Sequence, residues 1–369
     1  MHTVYMPNYA DNLISFLLLN ISFVIAYLAF KRNGRIKEVC FVYVLFCVFA
    51  FWSSDTASYE WMFSQHNISY YKEPIYYYIS LLCFDSYYIF RTLIWGTATM
   101  LFYYTVRKFK LNRSVAFFVL TYFFLLTFSY ARASLAMSTF LYGMSLVLNN
   151  RNSKMILVKG LVFILLAPFF HRSYYVIVAI TPFLFFRINK KVVLFILMLS
   201  PLFARLIQSI LQLFLDSQIE FGENMDNFSD SVQDYAGNES HWQMNWKFML
   251  ITIMHQISYY FTLVTILYLY FKNKTNILFD NRMRKMITLI VVIIIISTIF
   301  TINGVSNHFS TIVGYRFLYM TSLPIVVVLT YMYMRRIMSK KLLLLNLALP
   351  FLYAESFFIG KLLKIPVFW

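Results

Sequence analysis

Apolar runs of about 20 residues recur along this chain, divided by short turns that carry lysine and arginine. A run of that length, coiled as an α-helix, spans the roughly 30 Å hydrocarbon core of a bilayer. Repeated this often, the pattern demands a polytopic membrane protein whose backbone polar groups are satisfied inside helices. The alternation of a membrane β-barrel is missing. Composition agrees: of 369 residues 60% are hydrophobic, 20% aromatic and only 13% charged. A soluble domain of this length would not tolerate so much apolar surface.

The clearest unit runs from Tyr130 to Ser173. Tyr130-Ala131-Arg132-Ala133-Ser134 opens an apolar arm that reaches Asn149. The polar turn Asn150-Arg151-Asn152-Ser153-Lys154 follows, and a second arm climbs to Phe170-His171-Arg172-Ser173. Each arm has about 17 residues and covers roughly 25 Å. This reads as a membrane hairpin with a basic turn at one end and Arg132 and His171 together at the other.

Around it the chain is expected to be all-α, with about 12 transmembrane helices in a single membrane domain. The other spans are placed at about 12–30, 38–53, 86–106, 114–130, 173–186, 192–214, 247–271, 286–302, 316–334 and 342–359. Residues 75–85 read as a short re-entrant or interfacial piece. Residues 54–74 form a polar outer loop carrying Asp55 and Glu73. A long acidic outer loop spans 216–246, with Asp216, Glu220, Glu223, Asp226, Asp230, Asp234 and Glu239 but no lysine or arginine.

A net charge of +17 would suit a nucleic-acid partner, but its distribution excludes one. The turns 31–37, 107–113, 151–159, 187–191, 272–285 and 335–341 hold 23 of the 32 basic residues. This is the positive-inside pattern, and it places those turns in the cytoplasm and both termini outside. Cys40, Cys47 and Cys83 lie inside apolar segments without metal-site spacing, so they are packing residues. No metal and no cofactor is expected. The stretch up to Asp11 lacks a basic n-region, so no cleavable signal peptide is expected.

With that orientation Asp55, Glu73, Arg132, His171, Arg172 and Arg316 fall at or near the outer face. Ionisable groups at membrane depth are costly unless paired or facing a wet cavity. Arg132, Arg316 and Arg172 are candidates to bind a phosphate, which a guanidinium grips in bidentate fashion. Their plainer role is snorkelling to lipid headgroups. His171, Asp55 and Glu73 are candidates to take a proton from a hydroxyl. For Asp55 the plainer role is a helix cap, and for Glu73 a first-turn acid beside Pro74. Tyr59, Trp61 and Tyr70 supply aromatic faces on which sugar rings pack.

These residues carry a resemblance. Asp55-Thr56-Ala57-Ser58-Tyr59, Glu73-Pro74, Arg132 heading a small-residue helix, and Phe170-His171-Arg172-Ser173 resemble the pattern of EpsG-family and Wzy-type polysaccharide polymerases. Ile75 stands where a glycine or similar small residue would follow Glu-Pro. The resemblance implies a GT-C-like membrane glycosyltransferase in the bacterial inner (cytoplasmic) membrane, active at the periplasmic face. It implies polymerisation of O-antigen or exopolysaccharide repeat units carried on undecaprenyl pyrophosphate, which is both donor and acceptor. Membrane lipids and a chain-length regulator are the other partners it implies. Three readings compete: a transporter or flippase of lipid-linked sugars, a polysaccharide O-acyltransferase, and a ligase moving finished glycan to lipid A. A transporter would show internal repeats and ionisable groups near the midplane, neither of which the sequence displays.

Overall fold

In a computed structural model, the residues described are 9–32, 34, 36–49, 54–71, 73–124, 131–149, 153–185, 199, 202, 246–272, 279–303, 314 and 316–363. Among them there is no strand. The first half comprises α1 (Tyr9–Arg32), α2 (Ile36–Phe49), α3 (Ser54–Ser64), α4 (Ile75–Leu81) and α5 (Tyr87–Lys108). It continues with α6 (Arg113–Phe124), α7 (Ala131–Asn149), α8 (Lys154–Phe170) and α9 (Tyr174–Ile180). The later helices are α10 (Trp246–Lys272), α11 (Asn281–Asn303), α12 (Ser322–Met334) and α13 (Lys340–Leu362).

Among the described residues three helices are long and apolar enough to cross a membrane: α1, the stretch Asn281–Thr301 of α11 and the stretch Lys340–Gly360 of α13. Arg113–Phe123 and Ser322–Met334 are shorter apolar helices. The described helices thus follow the expected spans in order, whereas twelve full crossings are not all seen among them. The span expected at 173–186 is α9 followed by a 3₁₀ stretch, Thr181–Phe185. All of the span 192–214 except residues 199 and 202 lies outside the described residues, as does nearly all of the acidic loop 216–246. The polar stretch 54–74 differs from a simple loop, since α3 occupies its first part and a 3₁₀ turn spans Ile68–Tyr70. Residues 75–85 do form a short piece, α4, closed by a turn with Phe84 and Asp85 at φ of 48° and 56°.

The hairpin α7–α8 packs along its length, and α5 lies against α7. Its close approach depends on Gly143 and Gly160. A Cβ on Gly143 would sit 2.7 Å from the Gly160 carbonyl oxygen and 2.8 Å from the Ile164 nitrogen. Small residues at such a crossing let two backbones come together where a larger side chain would hold them apart. Elsewhere α1 packs on α2, α6 and α13, and α12 lies between α6 and α11.

The described parts of five of the basic turns gather at one end, and the sixth turn, 187–191, lies outside the described residues. Lys340 Nζ stands 5.7 Å from the centre of the Phe30 ring, and Phe30 packs on Tyr333. The Asn112 amide donates to Met334 Sδ. Arg282 donates to Asn149 and to Asp280, whose own amide donates to the Tyr331 hydroxyl. The last turns of α1, α7 and α12 therefore meet the first turns of α6, α11 and α13. The N-terminus of α7 and the C-terminus of α8 lie at the opposite end.

Candidate functional site

Arg132 is the second residue of α7, in a first turn whose backbone N–H groups lack helical partners. Two chain segments remote in sequence converge on it, α3 and the start of α4. Nη1 donates to Glu73 Oε2 at 2.5 Å, an ion pair in which the Glu73 side chain is only 6% exposed. Nε donates to the Tyr59 hydroxyl at 2.7 Å, and the guanidinium carbon stands 4.9 Å from the centre of the Tyr59 ring. A hydrogen bond and a cation–π contact to one residue fix the plane of the guanidinium. Nη2 makes no hydrogen bond among the described residues.

Glu73 occupies its position because Pro74 follows. Pro74 sits before the first helical residue of α4, and the Tyr76 amide donates to the Glu73 carbonyl at 3.1 Å. The second carboxylate oxygen, Oε1, accepts the backbone N–H of Arg172 at 3.5 Å. Glu73 thereby links the start of α7 to the turn after α8. Tyr76 does the same from one residue into α4. Its buried hydroxyl donates to the Phe170 carbonyl at 3.1 Å, with the Arg132 carbonyl 3.4 Å away.

His171 closes α8 in an extended conformation, φ −159° and ψ 116°. Its Nδ1 accepts the Ser173 backbone N–H at 3.3 Å. A neutral imidazole held that way carries its proton on Nε2. The Arg172 side chain is exposed.

Of the residues singled out by sequence, the structure brings Tyr59, Glu73, Arg132 and the His171–Arg172 backbone into one cluster. Trp61 is half-buried on α3, two residues from Tyr59. Asp55 is the second residue of α3 and Tyr70 the last of the 3₁₀ turn, and both side chains lie outside the described part. Arg316 is exposed in a helical stretch that runs into α12. That stretch is tied to α11 through Gly314, whose carbonyl accepts from Ser297 Oγ at 2.6 Å. Ser297 lies about 24 Å along α11 from Asn281 at 1.5 Å per residue, so Arg316 starts near the same end as Arg132.

Sequence reasoning missed two members of this region. Tyr76 was hidden in an aromatic run, and its partners are backbone carbonyls that no side-chain pattern marks. Arg91 was read as part of a plain span. It is 6% exposed in α5 and donates to the Cys47 carbonyl in the last turn of α2. A charged residue inside an apolar span was the signal that could have found it. Among the described residues no group of three or more His, Cys, Asp or Glu is placed to hold a metal ion.

The fold and cluster define a class: a helical membrane protein with a buried arginine–carboxylate pair at the end opposite its basic turns. A family model for the EpsG family matches residues 36–364, nearly the whole chain. The chain belongs to the EpsG family. That membership points to a role in making polysaccharide, with a glycosyltransferase-like polymerase activity. No curated protein and no solved structure matches the chain.

Proposed function

We propose that this protein joins oligosaccharide repeat units carried on undecaprenyl pyrophosphate into O-antigen or exopolysaccharide, at the periplasmic face of the bacterial inner membrane. The observation that carries the reading is Arg132, gripped by Glu73 and Tyr59 yet with Nη2 uncommitted among the described residues. The gathering of the basic turns at the other end supports the orientation through the positive-inside rule.

In the reaction the bond between the donor's anomeric carbon and the pyrophosphate oxygen breaks. A bond to the acceptor hydroxyl forms, and lipid pyrophosphate leaves with the electron pair. Arg132 offers Nη2 to an oxygen of that leaving group, in a plane already set by Tyr59 and Glu73. Preorganised donors of this kind stabilise charge as it develops. Arg316 and the exposed Arg172 side chain offer further positive charge at the same end.

Three groups are candidates for the acceptor proton. Both oxygens of Glu73 already accept N–H groups, and Nδ1 of His171 accepts from Ser173. We assign the proton to Asp55, one helical turn before Tyr59 in α3, a spacing that places both positions on one face. Glu73 then orients Arg132, and His171 adjoins the cluster, one residue before the Arg172 amide that Glu73 holds. Tyr59, Trp61 and Tyr70 furnish the aromatic wall for the sugars. The donor and acceptor are both lipid-linked glycans, and a chain-length regulator would act on this face.

The test is a gel of surface polysaccharide from a deletion strain complemented with wild type or Arg132→Ala at matched membrane levels. Wild type should restore a ladder and Arg132→Ala only single-repeat material. A deletion strain that keeps its ladder would overturn the assignment. An altered glycan mass by one acyl group would favour the acyltransferase reading instead.

A further inference from the structure

Tyr59, the residue that sets the plane of Arg132, sits on a helix of only 11 residues. Such a helix is marginal unless tertiary contacts hold it. Two of those contacts come from α5. Phe63, buried on α3, packs on Tyr87 at 5.6 Å and on Phe90 at 5.3 Å between ring centres. Phe90 also receives the Tyr76 ring at 6.3 Å, so the same patch of α5 supports α4.

Arg91 is the next residue of α5. It lies under the end of α2, where its guanidinium meets the Cys47 carbonyl, and 5.7 Å from the centre of the Tyr87 ring. The last turn of a helix has carbonyls without helical partners and a negative dipole end, both of which a guanidinium satisfies. Glu60, the neighbour of Tyr59 in α3, is within electrostatic reach of Arg91. Burial pushes the Glu60 carboxyl above its ordinary range, Arg91 pulls it back, and Asp11 at the start of α1 adds a smaller upward push. The contact path from Arg91 to α3 runs through Tyr87, whose ring receives the guanidinium and also packs on Phe63.

We infer that Arg91 is a positioning residue, which locks α3 to the ends of α2 and α5 and so holds Tyr59 against Arg132. The claim about catalysis rests on the polymerase reading, whereas the claim about α3 does not. Arg91 touches no substrate in this account. Its loss frees α3, lets Tyr59 leave the guanidinium, and leaves Arg132 with Glu73 alone.

The experiment uses the full-length protein with Cys40, Cys47 and Cys83 replaced by alanine. Spin labels are placed at Ser64, on α3, and Phe169, at the end of α8. Both positions are exposed. Distances are measured by pulsed electron resonance in lipid nanodiscs. The parent should give one narrow distance, Arg91→Lys a narrow one, and Arg91→Ala a broad distribution. If Arg91→Ala stays narrow, the inference falls, whatever the enzyme does. Should Arg91→Ala fail to accumulate in membranes, Arg91→Gln carries the test, with broadening expected and an unchanged distribution overturning it.

Polymerisation is then assayed on the same proteins. Arg91→Ala should slow it at least about tenfold, and adding Tyr59→Phe should cost no more than about twofold further, because residues acting through one another are not additive. Multiplying losses would overturn the route through Tyr59. Inactivity of the unsubstituted wild type would refute the polymerase reading while leaving the distance result to decide the role of Arg91 in placing α3.

Discussion

Arg132 and Glu73 form a pair that neither residue tolerates losing. A buried carboxylate stripped of its cation costs about 3–5 kcal/mol, and Glu73 is 5% exposed. Arg132→Ala therefore mixes a stability loss with a functional one, and Arg132→Lys separates them. Lysine keeps the charge but cannot serve Glu73, Tyr59 and a phosphate at once, since it lacks the planar fork. The expected outcome is near-normal membrane abundance with only single-repeat glycan, read by immunoblot and gel. Tyr59→Phe removes a hydrogen bond to a charged group, about 1.5–3 kcal/mol, while retaining the ring under the guanidinium. Polymer formation should slow at least about tenfold by that measure, and a rate equal to wild type would show that the hydroxyl does not matter. These residues were legible because ionisable groups stand out against apolar runs and fall at helix ends. That Glu73 and Arg132 touch was not legible. Fifty-nine residues separate them, and only folding shows that α4 crosses the mouth of the α7–α8 hairpin.

Helix by helix, the hairpin was the most readable part, since its two apolar arms and polar turn leave few alternatives. What the pattern did not reveal is how tightly the arms pack. Gly143→Val places new atoms against the Gly160 carbonyl and the Ile164 backbone, which must move apart. Overpacking of this kind costs about 1–3 kcal/mol, more than the roughly 1 kcal/mol that a glycine costs a helix relative to alanine. A lower melting temperature in detergent is expected, together with weaker polymer formation as Arg132 and His171 separate at the open end. An unchanged melting temperature would mean that the two helices are not so close. The stretch 54–74 was read as a loop because its polar residues break the apolar pattern. It nonetheless contains α3, held by Phe63 on α5, a tertiary contact that overrides weak local propensity.

For the whole molecule, charge distribution carried most of the information. Among the described residues several of the turns expected on one side meet, through Lys340 on Phe30 and Arg282 on Asn149. Two exposed residues at opposite ends test which end faces outward. Phe84 is 89% exposed in the turn after α4, and Met155 is 81% exposed in the first turn of α8. In the cysteine-free protein, Phe84→Cys should react with a membrane-impermeant maleimide on cells with a permeabilised outer membrane. Met155→Cys should react only after the inner membrane is broken. The reverse pattern would put the Arg132 cluster in the cytoplasm. The number of crossings is not legible from apolar length alone, because the segments read as spans at 173–186 and 316–334 contain helices of only 7 and 13 residues, α9 and α12.

The most direct measurement is reconstitution. The purified protein is placed in liposomes with one lipid-linked repeat unit and no nucleotide sugar, and product length is followed by mass spectrometry. Glycans of two and more repeats should accumulate as lipid pyrophosphate is released, with none from Arg132→Lys or Glu73→Gln present at equal amounts. Polymer formed equally well by those variants would contradict the account, placing the chemistry away from the Glu73–Arg132–Tyr59 cluster.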